Sequence, residues 1–350
     1  MDKIRIGIIG LGENTRLRHV PGLRACAGVE IVSVCNRRPE STRAAAAEFG
    51  IPRVFDRWED LLADDAMDAV LIGTWPYMHC PITLAALSAG KHVLTEARMA
   101  MNAAEARRML AASRLRPDLV TQIVPSPLGL RAHQVVRQML SDGFLGDLRE
   151  IVVLGTNSQF VDGSTPRHWR QVAEFSGVNM LALGILHEPL IRWVDDPVRV
   201  LAQTQTFTTH RIEPRTGQLA EVGTPDTVHV LTELPRGARG IYHLSGAIHH
   251  GPPNQIHLYG SEGTIKYQFA PEDRLLAARR GEPEFREVEV PAALAGGWRV
   301  EQEFVAAIRG QEKVRFTDFA TGVRYMEFTE AVAASARTGK AVSLDGGIHG

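Results

Sequence analysis

The chain is poor in cysteine: Cys26, Cys35 and Cys80 are the three in 350 residues, an odd number without metal-type spacing. That excludes a disulfide framework and suits a reducing compartment, so a cytoplasmic location is expected. Charge of one sign is also missing, with 39 Lys and Arg against 40 Asp and Glu and a formal net charge of −1. Nucleic acid or an anionic membrane surface therefore finds no bulk attraction. No apolar run approaches the ~20 residues of a membrane span. Met1-Asp2-Lys3 leads straight into a strand-like segment, so no secretion signal is expected. A small molecule remains as the expected partner.

Hydrophobic residues make up 44% of the chain, which is ample core material. Single cores rarely grow past ~250–300 residues, so two domains are expected.

An apolar run from Ile4 to Ile9 leads into Gly10-Leu11-Gly12-Glu13-Asn14-Thr15. A strand ending in Gly10 can turn sharply, and Gly12 lets backbone approach a pyrophosphate that faces the start of a helix. Thr15 stands where the dinucleotide fingerprint prefers Gly or Ala. A second run, Val29 to Val34, completes a βαβ unit and ends at Asn36-Arg37-Arg38, close to the ribose-reading position. No acid stands there to repel a 2′-phosphate, and Arg37 and Arg38 can grip one, so NADP is expected. The alternative has Arg37 stacked on adenine and Arg38 in solvent, in which case NAD fits as well.

Strands and helices then alternate. A helix is expected over Pro39 to Phe49, stopped by Gly50-Ile51-Pro52, then a short strand at Val54-Phe55 and a buried one from Ala69 to Gly73. Further elements are a helix from Pro81 to Ser88, a strand at His92-Val93-Leu94 and a helix from Ala103 to about Ser113. This order predicts a doubly wound parallel sheet, a Rossmann domain over residues 1–122. Past Pro125 and Pro127 the texture changes. A helix over Arg131 to Leu140 precedes strand-like runs at Glu150 to Leu154, Val198 to Thr208, Thr227 to Leu234, Gly240 to Leu244, Ile256 to Tyr259 and Thr264 to Tyr267. A second α+β domain over 123–350, with a mostly antiparallel open sheet and a helix from Asn179 to Trp193, is expected.

The chain resembles the glucose-fructose oxidoreductase and inositol dehydrogenase family, Gfo/Idh/MocA. The resemblance rests on the glycine turn, Thr74-Trp75-Pro76-Tyr77-Met78-His79, Gly90-Lys91-His92-Val93-Leu94-Thr95-Glu96, Trp169-Arg170, Tyr259-Gly260-Ser261-Glu262-Gly263-Thr264 and Ser335-Ala336-Arg337-Thr338-Gly339. It implies an α/β protein that binds NAD or NADP and acts on a sugar or polyol, often as a homo-oligomer through the second sheet. It also places Asn14, Thr15, Thr74, Trp75 and Glu96 with Gly10, Gly12, Asn36, Arg37 and Arg38 at the cofactor, and His79 either near the nicotinamide ribose or in a structural role rather than as an acid catalyst.

In the family a Glu-Lys-Pro motif brings a lysine to the nicotinamide, and a later Asp-x-x-x-His supplies a proton-transfer pair. Here the first reads Glu96-Ala97-Arg98; aligned through Gly184 and Arg192-Trp193, the second falls on Ala182 and Leu186. Arg98 stays charged and can orient or neutralise an oxyanion, or it is a surface ion-pair residue. His187 sits one step past Leu186, a turn of ~100° on a helix, and a local bulge would be needed to return it to the substrate. It is the expected proton carrier, with Tyr77 as substitute; the alternative is a structural His187 paired with Glu188 or a backbone carbonyl. Trp169 and Arg170 suit a sugar face and its hydroxyls, or else Trp169 packs a core. His250 lies in a loop open to substrate, and His249-His250 alone makes no metal site.

Three functions stay open: net hydride transfer, a lyase or hydrolase working through transient sugar oxidation, and a noncatalytic NADP(H)-binding protein.

Overall fold

The computed structural model describes residues 3–344. The chain divides into two compact units, one of residues up to 125 joined by Arg299–Met326, the other of Ser126–Trp298 and the residues from Glu327 onward.

The first unit is built on six parallel strands, β1 (Ile4–Ile9), β2 (Val29–Cys35), β3 (Arg53–Val54), β4 (Ala69–Ile72), β5 (His92–Thr95) and β6 (Thr121–Ile123), in the order β3-β2-β1-β4-β5-β6. Such a sheet is covered on both faces, which is why its central strands read as unbroken apolar runs. Ile6, Ile8, Val70 and Leu71 are all buried. Between the strands run α1 (Val20–Ala25), α2 (Pro39–Phe49), α3 (Trp58–Leu62), α4 (His79–Ser88) and α5 (Ala103–Arg114). Pro39 opens α2 and Gly50, at φ 59°, closes it in the left-handed conformation, as the sequence leads one to expect. Strand order reverses between β1 and β4, and their carboxyl ends form the crevice where doubly wound sheets take ligands.

The returning segment supplies α9 (Val300–Ile308) and the beginning of the long α10 (Phe319–Thr338). The amide of Ile123 donates to the Thr317 carbonyl at 2.9 Å, and the amide of Met99 to the Tyr325 hydroxyl at 2.6 Å.

The second unit begins with α6 (His133–Ser141) and β7 (Leu148–Thr156). It continues through α7 (Ala173–Ser176), α8 (Leu183–Leu190), β8 (Arg199–Gln205), the hairpin pair β9 (His210–Ile212) and β10 (Leu219–Glu221), β11 (Thr227–Glu233) and β12 (Arg239–Ser245). The last strands are β13 (Gln255–Gly260), β14 (Gly263–Gln268), β15 (Arg274–Arg279), β16 (Arg286–Glu287) and β17 (Val342–Ser343). Nine strands pair in the order β16-β15-β14-β13-β7-β12-β11-β8-β17. All pairings are antiparallel except that of β7 with β12. Val153, Val230, Tyr242 and Leu244 of this sheet share one core with Leu183, Leu186 and Leu190 of α8 and with Phe328 and Val332 of α10. The alternate residues Leu201, Leu231 and Ile241 stay 40%, 55% and 49% exposed on the other face.

One helix is shorter than the sequence predicts. In place of Asn179 to Trp193 it runs over Leu183–Leu190; its start is held back because Leu181, at φ 43°, takes a conformation no helix continues through. Apolar composition extended the expectation into a loop.

Candidate functional site

In the first unit the glycine turn is fastened on three sides. Gly10 has φ 88° and donates its amide to the Cys35 carbonyl. A side chain on Gly73, beyond β4, would lie 2.2 Å from the Gly10 carbonyl oxygen and 2.4 Å from Thr15 Oγ1, so two backbone segments touch here. Thr15, in the third fingerprint position, is buried and donates to the Gly10 carbonyl at 3.3 Å. It locks the turn where a glycine would merely allow close packing. Gly12 differs: a Cβ there meets only the Gly73 carbonyl at 3.8 Å, so the space before its backbone is open. A tight, pinned turn with one open glycine, followed by a helical run from Glu13, fits the pyrophosphate of a dinucleotide.

Asn36 follows β2, where the sequence puts the ribose reader, but its side chain is already engaged. Its Oδ1 accepts from the Leu11 amide at 2.6 Å and its Nδ2 donates to the Ser41 carbonyl at 3.1 Å. Arg37 and Arg38 beside it are exposed.

At the end of β4, Thr74, Trp75 and Tyr77 are half-buried. His79 is fully buried, with Nε2 2.9 Å from the Thr74 carbonyl and Nδ1 2.9 Å from the Arg98 carbonyl; burial lowers its pKa. It joins two loops at the edge of the sheet. Arg98 is 4% exposed, which corrects the surface ion-pair alternative.

Sequence reasoning missed His19. It lies on the π-helical turn Thr15–His19, fully buried, with Nε2 3.0 Å from Glu96 Oε1 and Nδ1 2.5 Å from Glu301 Oε1. Asn14 Nδ2 donates to the same oxygen of Glu96, and the amide of Ala97 donates to its other oxygen at 3.2 Å. Burial alone would depress the His19 pKa, but the hydrogen bonds to Glu301 and Glu96 outweigh it and raise it to about 9. For Glu96, burial favours the neutral acid, and the bond from His19 reverses the balance and lowers the pKa. A histidine one turn beyond the fingerprint is a visible signal; its partner 282 residues away is not.

In the second unit Trp169 is half-buried under the exposed Arg170 guanidinium, 4.4 Å from its ring, and the side chain of His168 caps the short turn that carries them. His187 is fully buried on a regular α8, without the bulge considered above. Its ring stacks 3.6 Å from that of Phe328, and Nδ1 lies 2.8 Å from the Tyr242 hydroxyl. Glu188 pairs with Arg192 and accepts from the Ser126 amide at 3.0 Å. His249 and His250 are exposed, with ring centroids 6.2 Å apart. Among the described residues no group of three or more His, Cys, Asp or Glu is arranged to hold a metal ion, and no helix is long and apolar enough to cross a membrane.

A family profile described as oxidoreductase family, NAD-binding Rossmann fold (GFO/IDH/MocA) matches residues 4–122, and that of the GFO/IDH/MocA C-terminal domain matches residues 133–266. The trans-1,2-dihydrobenzene-1,2-diol dehydrogenase of Mus musculus is 29% identical over 260 residues, 72% of this chain and 71% of that protein. The 1,5-anhydro-D-fructose reductase of Ensifer adhaerens is 31% identical over 204 residues, 57% of this chain and 59% of that protein. Among solved structures, levoglucosan dehydrogenase in complex with NADH and L-sorbose superposes with a TM-score of 0.85 at 21% identity, covering 98% of this chain and 99% of that one.

Proposed function

The chain belongs to the Gfo/Idh/MocA oxidoreductase family, and on that premise we infer an NADP-preferring enzyme that moves a hydride between nicotinamide and a sugar, polyol or related carbonyl compound. The observation that carries this reading is the open space at Gly12 in a turn that Gly73, Thr15 and Asn36 hold fixed. When bound, the dinucleotide supplies the hydride. The chain's own residues then have separate tasks.

The backbone of Gly10 to Thr15 holds the pyrophosphate. Asn36 contributes no negative charge at the adenosine end, and the exposed Arg37 and Arg38 grip a 2′-phosphate. Thr74, Trp75 and His79 shape the nicotinamide end of the crevice. The Tyr77 hydroxyl, half-buried at the carboxyl edge of the sheet, moves the proton at the substrate oxygen, while His187, enclosed by Phe328 and Tyr242, keeps a structural post. The buried guanidinium of Arg98 orients an oxyanion. Trp169 and Arg170 offer a sugar an aromatic face and hydrogen-bond donors, and His250 lies within a loop open to it. The exposed apolar face at Leu201, Leu231 and Ile241 supports a homo-oligomer in which a second copy covers the sheet. The three buried free thiols agree with a cytoplasmic setting.

Titration with NADPH and NADH, followed by nicotinamide fluorescence, tests the reading. NADPH binding about tenfold tighter, ~1.4 kcal/mol, is expected. Binding of neither overturns it.

A further inference from the structure

We propose that His19 is a positioning residue of the dinucleotide site: held between Glu96 and Glu301, it fixes the Glu96–Asn14 pair beside the glycine turn and ties dinucleotide affinity to a proton on one buried imidazole. The inference rests on reading the first unit as a dinucleotide site.

Both ring nitrogens face carboxylate oxygens, at 2.5 and 3.0 Å, and an ionised carboxylate only accepts. A neutral imidazole donates once and would turn a lone pair towards the other carboxylate. The doubly protonated ring satisfies both, and charge-assisted bonds of this kind are the stronger ones. Glu96, so held, accepts from Asn14 Nδ2, which fixes the orientation of that exposed amide and leaves its Oδ1 to meet a ligand hydroxyl.

The clamp has a built seat. A side chain on Gly22 of α1 would come within 2.6 Å of Glu301 Oε2 and 2.7 Å of its Cδ, so the bare glycine is what admits the carboxylate. Glu301 comes from α9 and Glu96 from the end of β5; on the same segment as His19, Arg16 is turned to Glu48. At the end of α1, burial and the nearby Glu301 push the Cys26 thiol up, so it stays neutral alongside. Loss of the His19 proton leaves the buried Glu301 and the half-buried Glu96 carboxylates about an uncharged ring, and the Glu96–Asn14 pair loses its anchor. The folded pKa lies above the ordinary value of ~6.5, at about 9. The stabilisation is therefore complete below pH ~6.5 and disappears as pH rises through about 9.

The test measures NADPH affinity of the wild type, His19→Gln and Gly22→Ala by nicotinamide fluorescence from about pH 6 to about pH 10, beside nitrogen NMR of the imidazoles in ligand-free protein. Wild-type affinity is expected to hold to about pH 8 and to weaken about tenfold by about pH 10. His19→Gln, whose two N–H donors share one nitrogen and so cannot face both carboxylates, is expected to bind about tenfold more weakly at neutral pH and to show no step at alkaline pH. Gly22→Ala keeps the histidine, displaces Glu301 and moves the His19 titration downward, with a parallel loss of affinity. It serves as the second variant should His19→Gln fail to fold. Wild-type affinity and pH profile in both variants overturn the proposal, as does an imidazole that titrates at its ordinary value while NADPH binds. If His19 titrates near 9 but no nucleotide binds, the dinucleotide reading itself falls and the clamp serves stability alone.

Discussion

Asn36 Oδ1 accepts a hydrogen bond from the Leu11 amide at 2.6 Å, so the residue after β2 holds the glycine turn from the side. The side chain proposed to bear on cofactor choice thus also holds the shape of the glycine turn. Asn36→Asp keeps an acceptor for Leu11 and adds a negative charge near the 2′-phosphate. NADPH affinity is expected to fall about tenfold or more, ~1.4 kcal/mol, with NADH affinity retained. Asn36→Ala, which frees the turn, should weaken both nucleotides alike. Paired fluorescence titrations distinguish the two, and equal losses in Asn36→Asp would remove Asn36 from cofactor choice.

Gly73 and Gly12 separate folding from binding. A methyl group on Gly73 would push into the Gly10 carbonyl at 2.2 Å, where backbone must move. Gly73→Ala is expected to cost roughly 2–3 kcal/mol, at the upper end of overpacking penalties, with a lower Tm and no nucleotide binding. In Gly12→Ala the nearest atom is 3.8 Å away, so Tm should hold while affinity drops, the new methyl occupying the space meant for phosphate. Calorimetry and titration of both variants check the assignment.

For Tyr77 the expected result is kinetic. Tyr77→Phe should lower kcat by about 100-fold, the lower range for a lost general acid or base, with KM and NADPH affinity little changed. Unaltered turnover in this variant would place the proton on another group.

The outer face of the second sheet carries Leu231 on β11 opposite Ile241 on β12, both exposed. A double substitution, Leu231→Glu with Ile241→Glu, is expected to convert the proposed assembly to single chains that still fold, since within one chain the changed side chains face solvent. Sedimentation at matched concentrations measures it, and a wild type that already sediments as a single chain refutes the proposed association.

Much of the first unit is legible because its signals are local. The run Ile4 to Ile9, the proline and glycine bracketing α2, and Asn102, which accepts from the Glu105 amide at 2.9 Å to start α5, each act within a few residues. The overlong helix at Asn179 shows the opposite case, in which apolar composition hides the positive φ of Leu181. The sequence puts Asn36 just past the second strand, where it stands, but its second task depends on Leu11 and Ser41 lying close by in the folded chain. Alignment to a motif draws attention to His187; its packing on Phe328 arises from α10, which no local pattern near His187 announces. The His19–Glu301 contact joins positions 282 residues apart, and only three-dimensional proximity reveals it.

Because the first unit takes in Arg299–Met326, its sheet emerges from the ribosome long before α9 is made. At ~5–20 residues per second the gap after residue 125 lasts on the order of ten to thirty seconds. Throughout that interval His19 has Glu96 but no Glu301, so the dinucleotide fold waits without its second carboxylate while eight of the nine strands of the second sheet are synthesised. The part of the protein that begins first is completed almost last.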